Sequence, residues 1–201
     1  VRGRSHKLRI NYRTTEEIRR VAVNLLEGLT VDDLNGGLDS NEGYKSLTHG
    51  ALPQHEDFSD AEEQADLIVR HLTTVQESKS VPLDNICIVA RVNSELDLVA
   101  AKLQASGIAS HRIAADTVDL INTGQVKIAT MHRVKGLEFE QMILLSINKG
   151  LVPLASAVTG KGDQVEQRQA DLEERALLYV AMTRATKQVL ICSYGEASPY
   201  L

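Results

Sequence analysis

The stretch Val126-Lys127-Ile128-Ala129-Thr130-Met131-His132-Arg133-Val134-Lys135-Gly136-Leu137-Glu138-Phe139 decides how the chain folds. Residues 126–131 form a mostly apolar run, a second follows at 142–147, and a third stands upstream at 86–90. Short continuous apolar runs of this length are typical of parallel strands buried on both faces. Helical signals separate them. Thr14-Thr15-Glu16-Glu17 reads as a capping box with Thr14 as N-cap, followed by Ile18, Val21, Ala22, Leu25 and Leu26 at helical spacing and a stop at Gly28. Ser59-Asp60-Ala61-Glu62 reads as a second capping box, ahead of Leu67, Ile68 and Leu72. A third helix is expected from about Asn93 to Gly107, and a fourth from Asp171 to Ala185. Short strands are expected at 7–10, near 44–47, up to Ile113 and at 188–192, with polar connections over 29–57 and 148–170. Strands alternating with helices predict an α/β fold: a mostly parallel sheet with helices on both faces. In such folds ligands sit at the carboxyl ends of the strands. Arg13, Arg91 and His132 each follow a predicted strand, which places them on one rim.

Composition narrows the function. The net charge of −5 argues against a generally basic nucleic-acid binder, although a local basic groove remains open. Aromatics are 3% and Trp is absent, which disfavours a base-stacking platform. Cys87 and Cys192 both lie in apolar runs, as buried core thiols of a reducing compartment do. No apolar run is long enough to span a membrane. The chain starts at Val1 without an initiator Met and reads as one domain, 1–201, of something longer.

The chemistry-bearing residues are dispersed. Thr130 to Phe139 offers a hydroxyl, an imidazole and cations where a plain connection would favour turn residues, and such groups position a nucleic-acid backbone. Gly136 permits close backbone approach, and Glu138 suits a ribose hydroxyl. Arg184, near the end of the last helix, has two readings: a cation favourable to the helix dipole, at about 0.3–1 kcal/mol, or a bidentate phosphate clamp. Tyr12-Arg13 is either an exposed loop pair or an aromatic plate beside a phosphate-reaching cation. A phosphate-binding loop is absent, since Gly160-Lys161-Gly162 has Ala155 where the first Gly belongs. His49 and His55 with Glu56 and Asp57 form no tight ligand pair, so no metal site is expected.

With these segments in view, the chain resembles the second RecA-like motor domain (2A) of UvrD/Rep/PcrA-type superfamily 1 DNA helicases. Asn11-Tyr12-Arg13-Thr14 resembles motif IV, Thr130 to Phe139 motif V, and Glu174 to Ala185 motif VI; Asn148 to Pro153 is similar to a short Gly-x-x-Pro element after motif V. The resemblance implies a RecA-like fold without its own phosphate loop. It implies Tyr12 on the adenine, Arg13 on the γ-phosphate, Arg184 as arginine finger, and Glu138 and Gly136 at the nucleotide. It further implies Thr130, His132 and Arg133 on single-stranded DNA, with Arg91 and Asn93 on the same track, and Lys135 coupling the two sites. The implied ligands are ATP and Mg²⁺, with phosphate loop and metal ligands from an N-terminal RecA-like domain of the same chain. The implied partner is single-stranded DNA or a single/double-strand junction, in the cytoplasm at the nucleoid, in processes such as DNA repair. Relatives carry a large 2B insertion ahead of motif V, and this chain leaves only a short segment between 113 and 126, so 2B is absent or reduced. Two alternatives stay open: a non-catalytic RecA-like binding module, and the motor half of an AddA/RecB-like helicase–nuclease.

Overall fold

The computed structural model describes residues 10–26, 45–114, 124–159 and 162–201. The expected start of the first strand, the helix stop at Gly28, most of the 113–126 connection and Gly160-Lys161 lie outside the described residues. The elements are β1 (Ile10–Asn11), α1 (Glu16–Asn24), β2 (Lys45–Ser46), β3 (Gln54–Phe58), α2 (Ala61–Ser78), β4 (Ile86–Ala90) and α3 (Asn93–Ala105). They continue with β5 (Ser110–Arg112), β6 (Val126–Thr130), β7 (Phe139–Leu144), α4 (Ala155–Val158), α5 (Gln164–Met182) and β8 (Ala185–Tyr194).

Six strands form one sheet in the order β3-β8-β7-β4-β6-β5, every pairing parallel. The α/β fold expected from the sequence is the one found. Burial explains it strand by strand. In β4 the side chains of Cys87 and Val89 enter one core and those of Ile86, Ile88 and Ala90 the other. β7 divides likewise, with Met142 and Leu144 on the first side and Ile143 on the second. Helices α1 and α5 cover the first face through Ile18, Ala22, Leu178 and Ala181; α2 and α3 cover the second through Ile68, Leu72, Leu96 and Leu103. β1 and β2 pair with each other as a separate parallel ladder.

Several local expectations shift. Thr15, not Thr14, caps α1, accepting from the Ile18 amide at 3.3 Å, and Glu17 is drawn to His49 and the Gly50 amide instead of reaching back. Asp60, not Ser59, caps α2, while Glu63 accepts from the Ser59 amide and hydroxyl. Asp163 caps α5 by accepting from Val165 and Glu166, so this helix starts inside the stretch read as a polar connection. β3, read as loop, is a polar edge strand whose Gln54, His55, Glu56 and Asp57 are exposed. Without apolar alternation it carries no strand signal, and its pairing with β8 is what orders it.

The connection from β6 to β7, residues 131–138, passes across β4 and returns to the opposite end of the sheet without a helix. Parallel crossovers usually need a dozen residues or more. Here Met131 and Val134 are buried in the first core and Leu137 packs against it, so the segment is pinned along the sheet face.

Candidate functional site

The candidate residues do not share one rim. Arg91 follows β4 and His132 follows β6, at the carboxyl ends of the strands. Glu138 immediately precedes β7 and Arg184 immediately precedes β8, at the amino ends. Arg13 joins the second group by pairing its Nε with Glu138. The expectation that Arg13, Arg91 and His132 lie on one rim is therefore corrected. The cause is that β1 belongs to the small separate ladder, so the end of β1 is not the end of the main sheet.

At the amino ends, a cleft of about 510 Å³ is lined by Tyr12, Arg13, Glu138, Tyr179, Thr183 and Arg184 with Ile10 and Asn11. Three segments distant in sequence meet there. The Asn11 carboxamide accepts from the Arg13 amide at 2.8 Å and shapes the turn that presents Tyr12, which is 64% exposed. α5 ends at Met182, so Arg184 stands in the helix-to-strand junction rather than in the helix, with its carbonyl accepting from the Phe139 amide at 3.0 Å. Its Nε donates back to the Val180 carbonyl at 3.2 Å. Burial, then the neighbouring Arg13, lowers the Arg184 pKa from its ordinary value, with Glu138 opposing. An arginine stays charged under such shifts. Two guanidiniums and one carboxylate leave a net positive cleft beside an exposed aromatic ring, suited to an anion attached to a flat group.

At the carboxyl ends, a cleft of about 580 Å³ is lined by Arg91, His132, Lys135, Ser156, Glu173 and Glu174 with apolar α5 residues. His132, Arg133 and Lys135 are exposed on the crossover. Arg91 is committed: its guanidinium grips Glu174 through Nε at 2.9 Å and Nη2 at 2.7 Å. Asn93 is exposed, and its carboxamide oxygen accepts from Arg112 at 3.4 Å. Thr130 is half-buried at the end of β6. Burial, then Arg91, holds the His132 imidazole below its ordinary pKa. Gly136 has φ +89°, a conformation only glycine adopts without strain, and lets the crossover turn toward Glu138.

Residues 113–196 match the family model of the UvrD-like helicase C-terminal domain. The resemblance to UvrD/Rep/PcrA-type helicases read from the sequence is thus shown. The UvrD-like match takes in His132, Glu138, Glu174 and Arg184, while Tyr12, Arg13 and Arg91 fall before it. Among relatives, the probable DNA helicase II homolog of Mycoplasma pneumoniae is 33% identical over 43% of this chain and 12% of its own length. The ATP-dependent DNA helicase Rep of Buchnera aphidicola is 30% identical over 54% of this chain and 13% of its own. The chain thus spans about an eighth of these relatives' length. The crystal structure of the C-terminal domain of a possible DNA helicase from Lactobacillus plantarum superposes with a TM-score of 0.63 at 20% identity, covering 94% of this chain and 91% of that one. That likeness shows the fold.

Glu174 carries no role in the sequence reading, yet it anchors the second cleft. The signal was present: Ala170, Glu174, Leu178 and Met182 recur at helical spacing and all are buried, so a carboxylate sits on the inward stripe of α5. Tyr179 and Thr183, one turn apart beside Arg184, were likewise visible only as helix residues.

Proposed function

We propose that the chain is the C-terminal motor domain of an ATP-dependent DNA helicase or translocase, completing an ATP site whose phosphate loop and Mg²⁺ ligands come from an N-terminal RecA-like domain. One observation carries this reading: Tyr12, Arg13, Glu138 and Arg184 converge from three separate segments on one open cleft. A scaffold has no use for two arginines held beside an exposed tyrosine.

In this reading Tyr12 stacks on the base and Glu138 binds the ribose hydroxyls. Arg13 and Arg184 meet the γ-phosphate when the two domains close. Arg13 must then leave Glu138, which exchanges the guanidinium for the sugar. The two cations stabilise charge that develops in phosphoryl transfer, where an arginine finger is worth about 10³–10⁵ in rate. Thr130, His132 and Arg133 at the other end of the sheet contact the phosphates of single-stranded DNA. Opening and closing of the cleft moves the domains along that strand through differential affinity. The crossover 131–138 is the direct covalent link, with His132 near one end of the sheet and Glu138 at the other.

Arg184→Ala in the full-length protein tests the assignment. DNA-stimulated ATP turnover should fall by about three orders of magnitude or more while ATP binding changes little, because the finger acts in the transition state. Lost binding with unchanged turnover refutes the role.

A further inference from the structure

The inward stripe of α5 holds a carboxylate that the proposed chemistry does not use. Glu174 is 6% exposed, and a charge so placed is strongly unfavourable unless paired and hydrogen-bonded. Arg91 supplies the pair in a two-pronged contact, and the Leu154 amide donates a further bond at 3.0 Å. Glu174 thereby joins three elements at the carboxyl rim: the end of β4, helix α5, and the connection leading to α4.

This pairing sets the charge of the rim cleft. Its ionisable lining is Arg91, His132, Lys135, Glu173 and Glu174. Burial and the neighbouring Arg91 hold His132 below its ordinary pKa, which favours its neutral form. Two cations and two carboxylates then cancel. While the ion pair holds, Arg91 is spent on Glu174, and binding relies on His132 and on exposed cations such as Arg133.

We propose that Glu174 is a positioning residue that withholds Arg91 from the nucleic-acid backbone, and that displacement of α5 hands Arg91 over to a phosphate. The inference rests on the helicase reading above. From Glu174, α5 runs roughly 12 Å to Met182 at 1.5 Å per residue. Arg184 follows directly, in the opposite cleft. Packed helices shift as rigid bodies, so an anion that draws Arg184 also moves Glu174. A phosphate offers Arg91 the same bidentate geometry as the carboxylate it replaces, and Glu174, carried with α5 toward the open cleft, exchanges the guanidinium for water. The nucleotide state at one end of the sheet thereby sets the number of cations facing DNA at the other.

Salt titration of oligothymidylate binding by the full-length protein, with and without a non-hydrolysable ATP analogue, counts those cations. Each phosphate neutralised on a single strand adds about 0.7 to the slope of log K against log salt. Wild type should steepen by that amount when the analogue is added. Glu174→Gln should be steep already without it. The double variant Arg91→Met with Glu174→Leu removes both charges, a change that buried pairs generally tolerate, and should stay shallow in both states. A Glu174→Gln slope equal to that of nucleotide-free wild type overturns the masking. A wild-type slope indifferent to the analogue overturns the release. Wild type that binds no oligothymidylate in either state sinks the helicase reading itself, and the gate with it.

Discussion

Glu16→Gln should weaken the fold by an amount that depends on pH in a defined way. Glu16 opens α1, directly after the Tyr12-Arg13 turn, and accepts from Arg19 at 2.9 Å and from the Ser46 amide at 2.8 Å. It therefore ties the β1–β2 ladder, and with it Tyr12 and Arg13, to the body of the domain. The Arg19 hydrogen bonds, with help from the Ser46 amide, lower its pKa from 4.5 to about 2. At about 1.36 kcal/mol per unit this shift sets a ceiling of about 3 kcal/mol. The side chain is 19% exposed, and solvent screening brings the expected contribution to about 1–2 kcal/mol. The folded pKa is depressed, so the stabilisation is complete above the unfolded value near 4.5 and is lost as pH falls through about 2. Urea unfolding of wild type and Glu16→Gln should therefore differ by about 1–2 kcal/mol at neutral pH, and by less than half of that at about pH 3. Glutamine can still accept from Ser46, so the difference isolates the charge. Equal differences at the two pH values would refute the linkage.

Asp84→Ala should cost about 3 kcal/mol in the same assay, because it removes the carboxylate that pairs with the ammonium of Lys127, which is 1% exposed, and that accepts from the Gly124 and Gln125 amides. Replacing Lys127 by Met and Asp84 by Leu together should recover much of that loss. Gly136→Ala should destabilise by about 1–2 kcal/mol through its φ of +89° alone, since a Cβ there meets no neighbouring atom. Cys87 and Cys192 are buried, and burial pushes the Cys192 thiol up to about 12 and that of Cys87 higher still, so neither should react with a thiol reagent until the chain is unfolded in urea. Rapid native labelling at either would show that the local sheet opens.

Much of the architecture was legible because the central strands are buried on both faces. The runs around Ile88, Ile128 and Ile143 are largely apolar on both faces, broken by the buried Lys127 and Gln141, and that leaves a plain signal. β3 was not legible, since an exposed edge strand needs no apolar pattern and is defined by its partner β8. Helix caps were displaced by one residue at Thr15 and Asp60 because neighbouring residues of the same type compete, and tertiary partners such as His49 decide between them.

The sequence by itself determined the α/β class, the central strands with their covering helices, and the chemistry of the candidate groups, because burial period and side-chain chemistry are local properties. Only the tertiary structure decided where those groups stand. Arg13 and Glu138, separated by more than a hundred residues, form an ion pair at the amino ends of the strands, while His132 and Arg91 lie at the carboxyl ends. Whether a cation is free or already held is also a tertiary fact, and Arg91 is held by Glu174. The physical reason is the same in each case: charge pairing depends on distance through space, and a parallel sheet brings remote segments within a few ångströms while carrying near ones to opposite ends.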